Sequence, residues 1–241
     1  MNRFYYDLHI HSCLSPCADD DNTPNNLAGM AAVSGLDIIA LTDHNTTKNC
    51  PAFFEAARRY GIIPVAGMEL TTSEDIHMIC LFETLESAMR FGDEVDRRRM
   101  PVKNRPEIFG EQLILDGEDN LIGKEENLLS VATDISVDKL PSIIENYGGI
   151  CYPAHIDRDA NGIIAVLGTL PESPSFNTLE FRDMKNIEEY TRKYNIENKC
   201  FIINSDSHFL GAMNDREHFF ELCAERDDTQ GIVSELIKKL R

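Results

Sequence analysis

Positive charge is scarce in this chain. Lysine and arginine number 23 against 41 aspartates and glutamates, a formal net charge of −18. Most of such a surface would repel a polyanion, so nucleic-acid binding would need a local cationic patch and is not expected. Long apolar runs are missing too. None approaches the length of a membrane span, and no membrane association is expected. Low-complexity tracts and regular repeats are absent, as is a glycine-rich phosphate loop of the Rossmann or Walker type. Met1-Asn2-Arg3-Phe4 leads straight into a strand-like run, so no secretory leader is expected. The seven cysteines are odd in number, which together with that reading points to reduced thiols in the cytoplasm. Cys80, Cys151 and Cys200 sit in apolar runs and read as small core residues. Cys13 and Cys17 have a spacing that suits a metal, but no second thiol pair accompanies them, which argues against a thiolate zinc site.

What remains is an ordinary globular composition, with 42% hydrophobic and 27% charged residues in 241. Apolar runs alternate with helical patterns. Strands are expected at Phe4–Ile10, Asp37–Leu41, Ile62–Ala66, Ile76–Phe82, Ile150–Tyr152, Thr178–Phe181 and Cys200–Ile203. Helices are expected at Asn25–Ser34 after Pro24, at Pro51–Tyr60 closed by Gly61, at Glu83–Arg99, Val137–Tyr147, Asn186–Tyr194 and Gly231–Leu240. Between about 100 and 130 the rhythm breaks. Two short apolar runs flank Asp116-Gly117, a turn signal, so a hairpin inserted in the main fold is expected. About seven strands alternating with helices imply parallel βαβ units. Polar residues end most of these strands. An open sheet would focus them on one switch point, whereas a barrel brings all strand ends to one mouth. An α/β barrel filling residues 1–241 as a single domain, with the 100–130 insertion, is the expected architecture.

Six of the seven histidines lie in short patches with carboxylates, most at the end of an apolar run. In Asp7-Leu8-His9-Ile10-His11 the period of two puts Asp7, His9 and His11 on one strand face, so both imidazoles can reach one cation and Asp7 can orient one of them. Thr42-Asp43-His44, Ala154-His155 and Ser205-Asp206-Ser207-His208 repeat the design. Glu69 follows another strand and can bridge two cations through its two oxygens. His77 is the awkward member, because it starts its strand instead of ending it. His218, between Glu217 and Phe219, reads as a surface residue. Nitrogen and oxygen donors suit zinc, manganese or iron, and eight or nine of them exceed what one ion needs, so two or three divalent cations are expected.

This order of motifs closely resembles the PHP (polymerase and histidinol phosphatase) family. The resemblance rests on the Asp7–His11 run, on Leu36–His44, on Glu69, His77 and His155, and on Ser205–His208. It implies a distorted seven-stranded (β/α)7 barrel with a trinuclear metal site. The implied ligands are His9, His11, His44, Glu69 as a bridge, His77, His155, Asp206 and His208. A loop carboxylate completes the set. Counting back from Pro24 selects Asp19, with Asp20 and Asp21 as neighbouring alternatives.

The implied chemistry is hydrolysis of a phosphate ester by a hydroxide bridging two cations. Arg158, three residues after His155, is the candidate phosphate-binding group, and Glu69, Asp43 and Arg158 form the expected catalytic set. Asp43 and Asp157 are expected to stand behind the ligands. A small-molecule phosphoester is the expected substrate. The alternatives are a single-strand nuclease or phosphodiesterase and a non-catalytic, metal-stabilised regulatory module. Oligomeric state is left open.

Overall fold

A computed structural model describes residues 1–241. The elements run β1 (Asn2–Ile10), α1 (Pro24–Val33), β2 (Ile38–Leu41), α2 (Cys50–Tyr60), β3 (Ile63–Thr71), β4 (His77–Phe82), α3 (Leu85–Arg98), α4 (Pro106–Phe109), β5 (Leu113–Leu115), β6 (Leu121–Lys124), α5 (Leu140–Glu145), β7 (Gly149–Pro153), α6 (Ile163–Leu167), β8 (Thr178–Phe181), α7 (Ile187–Tyr194), β9 (Cys200–Ile203), β10 (Phe219–Leu222) and α8 (Thr229–Leu240). Local chemistry sets the helix ends. Thr23 and Thr84 accept backbone N–H bonds at the starts of α1 and α3, and Asp228 does so for α8. Pro51 stands in the first turn of α2, and Gly61 ends that helix at φ 71°, a left-handed conformation that glycine adopts without cost.

The fold is α/β, built on a curled sheet in the order β10-β1-β2-β3-β4-β7 with β8 and β9 paired across its open side. The β-ladder is not continuous through seven strands. The gaps beside β8 and β9 are bridged at the strand ends, where Ile156 N–H donates to Glu180 O and His11 N–H donates to Ser207 O. The expectation of parallel units throughout is corrected. The β1-β2-β3 and β8-β9 pairs are parallel, whereas β4 runs antiparallel to both β3 and β7. The cause is length. Only five residues separate β3 from β4, enough for a reversal but far too few for the crossover helix that parallel strands need. β10, absent from the expected strands, adds antiparallel to the edge of β1.

Alternate residues feed two apolar clusters. Phe4, Tyr6 and Leu8 of β1, Ile38 and Ala40 of β2, Ile63 and Val65 of β3 and Ile79 and Leu81 of β4 pack with Ile232, Leu236 and Ile237 of α8 inside the curl. The opposite faces, with Ile39, Leu41, Met68 and Cys80, pack under α1, α2 and α3. α8 therefore plugs one end of the curl, and the other end is left to polar side chains.

The insertion forms the expected hairpin, β5 with β6, and is tied to the body. Leu113 N–H donates to Cys13 O, and the Asn49 side chain bonds Leu113 O and Leu115 N–H. No helix is long and apolar enough to cross a membrane.

Candidate metal centre

The polar end of the curl gathers residues from six segments around Glu69. Alternation along β3 puts Ile63 and Val65 inside, so Glu69 also points in, and its carboxylate is fully buried. Its Oε1 lies 2.8 Å from His77 Nδ1, 3.1 Å from His155 Nε2 and 3.4 Å from His9 Nε2. Its Oε2 lies 3.0 Å from His44 Nδ1 and 3.3 Å from His11 Nε2. Asp206 Oδ1 stands 3.3 Å from both His9 Nε2 and His11 Nε2. His208 stacks on His11 with ring centroids 4.3 Å apart. Three groups have donor atoms within 4.8 Å of one another: His9, His11, Glu69 and Asp206; His44, Glu69 and His77; and His11, His44 and His208.

His77 reaches the centre because β4 is antiparallel to β3. The start of one strand lies beside the end of the other, Thr71 against His77. A sequence position that looked misplaced for a parallel sheet is thus at the mouth.

The β1 patch departs from simple alternation. The pairing of β1 with β2 shifts between Asp7 and Ile10, and Thr42 Oγ1 bonds the Ile10 N–H there. This bulge lets Leu8 stay inside the curl while His9 and His11 also point in. Asp7 leaves the shared face. Its carboxylate accepts the Ser205 and Asn214 N–H groups instead of orienting an imidazole, and burial raises its pKa to about 6.

The orienting groups lie elsewhere. Glu180 of β8 accepts His9 Nδ1–H at 2.8 Å and His155 N–H at 3.0 Å through Oε1, and Asn204 Nδ2–H at 2.7 Å through Oε2. Sequence reading missed it, although a carboxylate between Leu179 and Phe181 in an apolar strand is itself a signal. His11 Nδ1 is paired with Ser15 Oγ at 3.0 Å, and Ser15 in turn donates to Asp43 at 2.7 Å. Asp43 also takes the Ser12 N–H and hydroxyl. It is buried behind the histidines and fixes the loop that orients His11. Asp157 accepts the Arg182 and Asp183 N–H groups and the Asn186 amide, bracing a neighbouring loop.

The expected loop ligand sits apart. Asp19 is exposed, bonds the Asp21 N–H, and belongs to none of the three donor groups. His218 lies near the Tyr6 ring at the β10 edge. Arg158 is at the rim, with Nη1 3.0 Å from Asp206 Oδ2 and a side chain 36% exposed.

Electrostatics follow from this crowding. Burial disfavours a charged imidazole at His9, but the charges of Glu180, Glu69 and Asp206 outweigh it and hold the ring well above its usual pKa. The same contest raises His11 and His44 to about 9. The imidazoles hold Glu69 well below the carboxylate range against the opposing effect of burial. His208 is lowered to about 3, first by burial and then by the charge of His11.

The backbone is strained at the same place. His155 has φ 28°, Asn45, beside His44, has φ 50°, and Asp206 has φ 50°. Such conformations are costly for these residues and persist where the surroundings enforce them. The largest cavity, about 600 Å³, lies at the opposite strand ends beside Arg58 and Arg226 and includes none of the clustered histidines.

The PHP domain family matches residues 7–213. The chain belongs to this family. Among curated proteins, it is 36% identical over 74 residues to an error-prone DNA polymerase of Symbiobacterium thermophilum, covering 31% of this chain and 7% of the polymerase. It is 34% identical over 79 residues to a 5'-3' exoribonuclease of Haemophilus influenzae, covering 32% of this chain and 28% of the relative. The matched stretches are thus less than a third of these relatives. Among solved structures, a lesion-specific endonuclease from Pyrococcus furiosus aligns over 99% of this PHP chain and 56% of its own, at 15% identity and TM-score 0.68. A Bifidobacterium adolescentis protein described as a metal-dependent phosphoesterase aligns over 97% and 96%, at 18% identity and TM-score 0.61. At these identities the structural likeness is one of fold.

Proposed function

We propose that the chain is a metal-dependent phosphoesterase, acting on a phosphomonoester or short nucleotide. The observation that carries this is the set of imidazoles and carboxylates closed around Glu69, with buried polar atoms that have no partner in the protein. His44 Nδ1, Glu69 Oε2, His77 Nδ1 and Asp206 Oδ1 are all buried and without a good hydrogen bond. Orphans of that kind are rare, and here they converge. Neutral imidazole and carboxylate donors at this spacing fit two or three divalent cations of the zinc, manganese or iron type.

His9, His11, Glu69 and Asp206 would hold one cation, and Glu69 and His77, with His155 or His44 beside them, would hold another. Divalent cations there supply charge that activates water and draws electron density from a phosphoryl group. The rest falls to the chain. Glu180 keeps His9 Nε2 facing inward by holding Nδ1–H. Ser15 and Asp43 do the same for His11. Arg158 spends one N–H on Asp206 and keeps others for phosphate oxygens.

The matches to an exoribonuclease and a polymerase favour a second reading, cleavage of single-stranded nucleic acid. The test is hydrolysis of phosphomonoesters, nucleotides and oligonucleotides of rising length by protein reconstituted with zinc, manganese or iron. Release of phosphate from small esters, falling as the chain lengthens, is expected. Activity confined to oligonucleotides would favour the second reading. Silence on every substrate at full metal load would overturn both and favour a metal-stabilised regulatory module.

A further inference from the structure

The outermost donors are short of a ligand. His11 Nδ1 is taken by Ser15, so only its Nε2 is free, and that atom faces Glu69 and Asp206. His44 and His208 are then left as the outer pair, and two nitrogens do not complete a coordination shell. The aspartate expected from the loop does not reach them, because Asp19 is turned to the Asp21 N–H. Cys17 is there in its place. Its Sγ lies 3.1 Å from His208 Nε2, whose ring centroid stands 6.1 Å from that of His44.

We propose that Cys17 is a metal ligand, its thiolate completing with His44 and His208 an outer cation subsite. This rests on the proposed metal centre and adds to it a soft donor. The position is held from several sides. Asp19 N–H donates to His208 O at 3.0 Å, which locks the loop to the segment carrying His208. Ala18 N–H closes a turn onto Ser15 O, so Cys17 shares a fixed loop with the group that orients His11. Gly110 packs so closely on Pro16 that an added Cβ would clash with the Pro16 carbonyl oxygen, so the missing side chain lets the insertion lie against this loop. The thiol itself is exposed, so the subsite opens to solvent and to a substrate. On binding, the thiol proton passes to solvent and the sulfur lone pair to the cation. A thiolate with two imidazoles selects zinc, cobalt or iron over manganese or magnesium.

Cobalt(II) tests this without reference to turnover. Metal-free protein loaded with cobalt is read for visible ligand-field bands and for a near-ultraviolet thiolate-to-cobalt charge-transfer band. The full chain is expected to show both. Cys17→Ser is expected to lose the charge-transfer band and one equivalent of cobalt while keeping the rest. Cys17→Asp is expected to regain the equivalent without the band. Metal loading is also expected to shield Cys17 from alkylation, read by peptide mass mapping. Bound cobalt without a thiolate band, or a band that survives in Cys17→Ser, overturns the proposal and leaves the metal centre standing. A folded protein that takes up no cobalt overturns the centre itself.

Discussion

Glu180→Gln is the sharpest probe of how the centre is held. The carboxylate accepts three buried donors, His9 Nδ1–H, His155 N–H and Asn204 Nδ2–H. Glutamine keeps the shape and one acceptor oxygen. With that oxygen facing His9 and His155, the new amide NH2 meets Asn204 Nδ2, donor against donor. Turning the Asn204 amide only moves the mismatch, because Asn204 Oδ1 already accepts Leu8 N–H at 2.8 Å. One buried donor pair stays unmet in either arrangement, a cost of about 1–3 kcal/mol in the stability of the metal-free protein. His9 keeps an acceptor for Nδ1–H but loses the carboxylate charge behind it, and such partners are worth about 10- to 100-fold in metal affinity. Competition against a chelating dye reads the affinity, and chemical denaturation of metal-free protein reads the stability. Unchanged affinity in the variant would refute the view that Glu180 sets the His9 ligand.

Three further outcomes are expected. At pH 7, metal loading should expel protons from His9, His11 and His44, whose raised pKa values keep them charged before metal arrives; the share from His11 and His44 should fade as pH passes about 9, measured by calorimetry in buffers of different ionisation enthalpy. Arg158→Ala should raise KM for a phosphomonoester by about 10- to 100-fold, the loss of one charge-assisted hydrogen bond, with bound metal little changed by elemental analysis. Leu236→Ala empties a fully buried position in the α8 plug and should cost about 2–5 kcal/mol by urea denaturation, without altering metal stoichiometry in protein that stays folded.

The donors were legible in sequence because imidazoles and carboxylates at strand ends are costly to bury unless something uses them. His44, Glu69, His155 and Asp206 could be placed from the apolar runs alone. His77 could not, because its place depends on strand direction, which the short link after Thr71 decides. The Asp7–His11 run misled for a different reason. A period of two holds only for a regular strand, and the shift between Asp7 and Ile10 breaks it. Glu180 escaped notice because no histidine stands beside it in sequence. The loop ligand was sought among Asp19, Asp20 and Asp21, yet the side chain that meets His208 is Cys17, and loop geometry follows hydrogen bonds such as Asp19 N–H to His208 O that no periodicity encodes. The strand count suffered likewise: β10 is a short edge strand whose only partner is β1, more than two hundred residues earlier in the chain.

Metal content per chain tests the central claim most directly. Elemental analysis of folded protein after loading with zinc or manganese is predicted to find two or three ions per chain, falling by at least one in Glu69→Ala. A folded chain that retains less than one ion at saturating metal, or a Glu69→Ala variant that retains the full complement, would contradict the account.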